Sequence, residues 1–64
     1  MEEFRYSVET QDGRVIEPQR EHYGDAVALA RRHADQYRGG GTLVREWAKV
    51  GDLPAKPKRV RWRS

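Results

Sequence analysis

The chain has 64 residues, no cysteine, 36% charged residues and a formal net charge of +3, with a mean hydropathy of −1.06. That length holds one domain, which buries only about 60% of the surface its unfolded form exposes, and without cysteine there is no disulfide or thiolate metal site to reinforce it. No run approaches the ~20 apolar residues of a membrane span, and no apolar stretch follows Met1-Glu2-Glu3 as in a secretory leader, so a soluble cytoplasmic domain with no membrane partner is expected.

Residues 4–10, Phe-Arg-Tyr-Ser-Val-Glu-Thr, alternate. Phe4, Tyr6 and Val8 share one side and Arg5, Ser7 and Glu9 the other, which reads as a half-buried strand. Gln11-Asp12-Gly13-Arg14 follows, and Asp-Gly supplies the positive φ of a tight hairpin. Arg14-Val15-Ile16-Glu17 is the returning strand, stopped by Pro18. A two-residue loop pairs Thr10 with Val15. A three-residue loop with a glycine bulge pairs Val8 with Ile16, and the larger apolar group at Ile16 favours it.

Residues 19–24 read as a polar connection, and a helix is expected from residue 24 or 25 to 38. At about 100° per residue, Ala26, Val27, Leu29, Ala30, His33, Ala34 and Tyr37 fall on one side, and Arg31, Arg32, Asp35, Gln36 and Arg38 on the other. Asp25 suits the first turn, where the helix dipole favours an anion. Gly39-Gly40-Gly41 ends the helix, one of the three taking the left-handed position after it. The alanine-rich stripe lets the helix lie close to a sheet.

Residues 42–50 form the third strand. Leu43 and Trp47 share one face and are assigned to the core beneath the helix; Val44, Ala48 and Val50 share the other. A strand apolar on both faces belongs in the middle of a sheet. With one helix to give, the Val44, Ala48 and Val50 face needs a cover, and it is the candidate protein interface, to a partner or to a second copy. Gly51-Asp52-Leu53-Pro54 is a turn. Arg59-Val60-Arg61-Trp62-Arg63 alternates again, with Val60 and Trp62 facing one way and three arginines the other. The fold class is α+β: β-β-α-β over residues 1–55, one helix on a small antiparallel or mixed sheet, extended to β-β-α-β-β if the basic segment 56–64 pairs as an edge strand instead of remaining an arm.

This order of elements resembles the short ββαβ proteins of unknown function common in actinobacteria and their phages. The resemblance covers residues 4–50: a first strand ending in Asp12-Gly13, an alanine-rich helix, and a strand such as Leu43-Val44-Arg45-Glu46-Trp47. It implies a fold and no catalytic residues. Ten arginines to three lysines, no asparagine and a single isoleucine, Ile16, fit the GC-rich genome of such a source.

The charge is uneven. Lys56, Lys58, Arg59, Arg61 and Arg63 are five cations with no acid among them, while residues 1–55 carry eight cations and ten acids. Cations on alternate residues can follow a phosphate backbone, and Trp62 can stack on an unpaired base. With no base-reading helix, nucleic-acid binding through this segment would be sequence-independent; an acidic protein is the other partner of the right charge. The competing reading is an edge strand whose charges prevent aggregation, with Val60 and Trp62 completing the core. The binding reading falls if the closing arginines are each locked to a carboxylate of the same molecule, which would leave a self-contained scaffold.

His22 and His33 lack the spacing and companions of a metal site. The serines, Ser7 and Ser64, have no nucleophile constellation, and Gly39-Gly40-Gly41 follows a helix where a phosphate loop precedes one. So small a core leaves little room for a substrate pocket of ~300 Å³. The sequence therefore points to a non-catalytic interaction module with no metal, cofactor or small-molecule substrate, binding a protein or itself through its sheet, with nucleic acid at the basic segment as the alternative.

Overall fold

A computed structural model of the chain describes residues 2–36 and 41–64. Strand β1, Glu2–Thr10, turns through Gln11-Asp12-Gly13 into β2, Val15–Arg20; helix α1, Tyr23–Ala34, leads to β3, Thr42–Val50, and then β4, Lys56–Arg63. All strand pairs are antiparallel, in the order β2-β1-β3-β4. This is the expected α+β arrangement in its five-element form, β-β-α-β-β, with β3 central and the basic segment paired as an edge strand.

The first hairpin closes with three loop residues. Thr10 N–H donates to the Arg14 carbonyl at 2.8 Å and Gly13 N–H to the Thr10 carbonyl at 3.1 Å. Gly13 sits at φ 95°, a conformation open to glycine. The loop length is as expected, but Val8 lies opposite Glu17 and not Ile16. A second bulge intervenes, and Ile16 bends towards the core, where it is half-buried. Pro18 does not stop β2. It lies on the sheet edge, where the missing N–H interrupts no ladder bond, and pairing continues to Arg20 opposite Tyr6.

Helix α1 starts at Tyr23, earlier than expected, with Asp25 in its first turn. Tyr23 therefore belongs to the packing, its ring 5.4 Å from that of Tyr6. The helix ends at Ala34, short of residue 38. Gln36 N–H bonds back to the His33 carbonyl at 2.9 Å, a tightened last turn that closes the helix. Tyr37, expected on the apolar stripe, and Arg38, Gly39 and Gly40, expected at the helix end, lie outside the described residues. Gly41 has φ 71°, and a Cβ there would collide with the Ser64 hydroxyl. Ser64 closes the sheet at that corner, its N–H donating to the Thr42 carbonyl at 3.0 Å.

The core is small. Val8 and Val44 lie opposite each other on the two central strands, and Ala26 and Ala30, one helical turn apart, press onto them. Small residues at i and i+4 bring the helix backbone close enough for Thr42 Oγ1 to donate to the Ala30 carbonyl at 2.7 Å. Around this centre pack Tyr6, Ile16, Tyr23, Val27, Leu29 and Trp62.

The hairpin turn carries a titration. The Thr10 hydroxyl bonds to the Asp12 carboxylate, and Arg14 N–H bonds to the Thr10 hydroxyl oxygen at 3.0 Å and to Asp12 Oδ1 at 3.4 Å. These bonds, the one from Thr10 foremost, hold the Asp12 carboxyl below its ordinary value. A carboxyl depressed by folding contributes stability above its unfolded pKa and loses it as pH falls through the folded one. Asp12→Asn is expected to be less stable than the parent chain at neutral pH, with the difference shrinking on acidification to about pH 3. Urea midpoints at the two pH values measure it, and a difference that grows with acid would refute the assignment.

Candidate functional site

The expected sidedness of β3 is reversed. The helix covers Val44, which is 0% exposed and belongs to the core. Ala48 on the same side is half-buried, and Val50, beyond the helix, is 47% exposed. The three do not form a free interface. The side away from the helix carries Leu43 and Trp47, together with Glu9, Ser7 and Arg5, their neighbours on β1; Leu43 is buried there, as expected of a core residue, at 6% exposure, and the bare part of this side lies at Trp47. Trp47 is therefore a half-buried surface residue and not part of the core beneath the helix.

A chain of hydrogen bonds fixes the bare side. Trp47 Nε1–H donates to Ser7 Oγ at 2.8 Å, and the Ser7 hydroxyl donates to Glu9 Oε2 at 2.8 Å. Arg45 Nε–H reaches the same oxygen at 3.0 Å. The Glu9 side chain is 8% exposed and is compensated by a cation and a hydroxyl, which is what a buried carboxylate requires. Beside Trp47 runs a groove of about 450 Å³ lined by Ser7, Val15, Pro18, Gln19 and Trp47. Val15, on its rim, is 58% exposed.

On the helix side, a second carboxylate organises the basic strand. Glu46 is 3% exposed. Its Oε2 accepts from Arg61 Nη1 at 2.9 Å, and its Oε1 lies 3.3 Å from Arg59 Nε. Arg61 also stacks over the Tyr23 ring at 4.7 Å. Burial first, and then the Glu46 carboxylate, push the Tyr6 hydroxyl above its ordinary value, so it stays protonated at neutral pH. Lys58 Nζ stands 5.6 Å from the centre of the Phe4 ring. Phe4, Tyr6, Glu46, Lys58, Arg59 and Arg61 line a cleft of about 280 Å³.

The basic segment therefore divides. Arg59 and Arg61 share Glu46, while Lys56, Lys58 and Arg63 have no carboxylate within ion-pair distance among the described residues. Val60 and Trp62, expected on one face, are separated by a bulge: Trp62 lies opposite Val44 and Val60 opposite Arg45. Trp62 packs on the core with the Arg31 guanidinium 5.8 Å from its ring centre. It is half-buried against the core and not a free stacking platform. The sequence reading missed Phe4 and Tyr6 as companions of the cations, and Glu46 as their anchor. The visible signal was an acid at the middle of an apolar strand, Val44-Arg45-Glu46-Trp47, which needs a cationic neighbour if buried.

No family model, curated protein or solved structure matches this chain. Among the described residues no helix is long and apolar enough to cross a membrane, and no group of three or more metal-ligating side chains is present.

The reversed sidedness has a measurable consequence. Val44→Ala empties the centre of the core and is expected to cost about 2 kcal/mol. Val50→Ala, on the same strand, is expected to change stability by no more than about 0.5 kcal/mol. Urea unfolding of the two variants checks this, and equal costs would contradict the helix placement.

Proposed function

We propose that this chain is a non-catalytic interaction module that binds through the bare side of its sheet, and that the occupant is a second copy of itself. The supporting observation is the groove beside Trp47. A large aromatic side chain is locked in place by its bond to Ser7, next to Val15 and Pro18, with no layer of the described residues above it. Pre-ordered aromatic groups of this kind anchor interfaces because little entropy remains to be lost on binding.

The charges favour a like partner. Arg45 is neutralised by Glu9, and Arg5 lies 3.2 Å from Glu3 and 3.7 Å from Glu21. The side is self-compensated and does not repel its own copy. Among the described residues the core cluster holds four fully buried side chains, which is small for a chain of this length, and a face-to-face sheet pair would supply the second layer that one helix does not. The buried carboxylates, Glu9 and Glu46, serve arginines and not a reaction. Arginine-rich composition fits an actinobacterial or phage source.

Sedimentation equilibrium tests the reading. The chain is expected to dimerise with a Kd below about 1 mM, equivalent to about −4 kcal/mol. Val15→Glu, a substitution at an exposed site, places a charge in the groove and is expected to weaken the dimer at least about tenfold, with the melting temperature of the monomer unchanged. A monomer at all concentrations, or a dimer indifferent to Val15→Glu, overturns it.

A further inference from the structure

Beyond the amino end of α1 no described residue covers the helix side of the sheet. A twelve-residue helix is about 18 Å long, whereas the nine-residue strands β1 and β3 run about 30 Å, and the molecule is 37 Å in its longest dimension. The helix carboxyl end is pinned at Thr42 by the bond to Ala30, so the overhang falls at the other end. It exposes Phe4 and the start of β4. The result is the cleft of Phe4, Tyr6, Glu46, Lys58, Arg59 and Arg61.

Its chemistry is one-sided. Among the described residues that line it, three cations face one carboxylate. Glu46 accepts one N–H from Arg61 and lies 3.3 Å from Arg59 Nε as an ion pair, and a guanidinium has five N–H donors. Glu46 thus fixes the two side chains while leaving donors and net positive charge for a further anion. Tyr23 holds Arg61 from the other side by its ring and by a 3.5 Å bond from its hydroxyl to the Arg61 carbonyl. Phe4 is 38% exposed, with the ammonium of Lys58 over its ring at 5.6 Å; Lys58 is a long exposed side chain, and a flat ring laid on Phe4 takes its place as the ammonium turns to an anion. Lys56 continues the positive charge outward along β4.

A ligand that matches this cleft carries an anionic group and a flat ring a short distance apart, with more negative charge following. We propose that the cleft binds one nucleotide of single-stranded nucleic acid, its base stacked on Phe4 and its phosphate held by Lys58, Arg59 and Arg61. This site lies on the opposite side of the sheet from the groove at Trp47 and does not depend on self-association. Stacking takes place on Phe4 and not on Trp62, which is half-buried against the core. Duplex is disfavoured, because a paired base cannot reach the ring.

The test is fluorescence-anisotropy titration of the full chain with a labelled oligothymidylate of about ten nucleotides, a site size within the usual range for single-strand binders. With one phosphate neutralised in the cleft and a following one by Lys56, affinity is expected to fall about sevenfold between 50 and 200 mM salt. Phe4→Leu keeps an apolar side chain and the fold but loses the ring face, and is expected to weaken binding at least about fivefold. Lys58→Ala, at an exposed position, is expected to weaken it about threefold and flatten the salt dependence. Arg32→Ala removes the same charge from the far end of the helix and is expected to leave affinity within twofold. Thymidine monophosphate, duplex of equal length and polyglutamate are each expected to bind at least tenfold more weakly. Equal loss in Arg32→Ala and Lys58→Ala, no effect of Phe4→Leu, equal binding of any of the three competitors, or no binding at all overturns the proposal.

Discussion

One helix of three turns cannot cover both sides of a four-stranded sheet, nor the whole length of one side. Everything distinctive about this molecule follows from how that limit is met. Ala26 and Ala30 let the helix come down on Val8 and Val44, and the contact is so close that only small and β-branched side chains fit between. The covered area is therefore compact. What it leaves out are the Trp47 side of the sheet and the overhanging end with Phe4, and both candidate binding surfaces are these uncovered remainders.

The same closeness explains why the side of β3 was not legible in advance. Alternation showed that Leu43 and Trp47 lie opposite Val44 and Ala48, and the strand was found with its expected ends. Alternation does not say which set the helix meets. Two conditions decide it, and both depend on tertiary neighbours. Directly beneath Ala26 and Ala30 there is room for valine, the indole of Trp62 packing only at the margin from the edge strand, and an indole N–H needs an acceptor when partly buried. Ser7 supplies that acceptor, and Ser7 is on the side away from the helix. Residue size favours valine under the helix and tryptophan outside it, the reverse of ranking residues by hydrophobicity alone.

The basic segment illustrates a different limit. Strict alternation in Arg59-Val60-Arg61-Trp62-Arg63 predicts that the two apolar residues point the same way. The bulge between the Trp62 and Val60 pairings breaks the period, sending Trp62 under Arg31 and Val60 to the bare side. A period-two pattern carries no mark for an inserted residue, and the hairpin showed the same failure at Ile16. Glu46 helps to explain the bulge. Its buried carboxylate sits where both Arg59 and Arg61 reach it, so two cations bracket one acid instead of alternating past it. Of the two contacts, that to Arg61 carries more weight, since Arg59 is 64% exposed and water screens its charge.

The bulges also bear on how the molecule meets others. Both edges of the sheet are irregular: β2 has Pro18 and two register shifts, and β4 has Pro57, two register shifts and a row of cations. Proline removes a ladder donor, a bulge puts successive donors out of phase, and like charges repel a second copy of the same strand. Strand addition at an edge is thereby discouraged on both flanks. Contact is directed instead to side chains standing off the sheet, where geometry is set by the Trp47–Ser7–Glu9–Arg45 chain on one side and by Glu46 with its two arginines on the other. Each buried carboxylate thus orders the surface above it, and the two surfaces differ because one acid is matched by a single arginine and the other is outnumbered two to one.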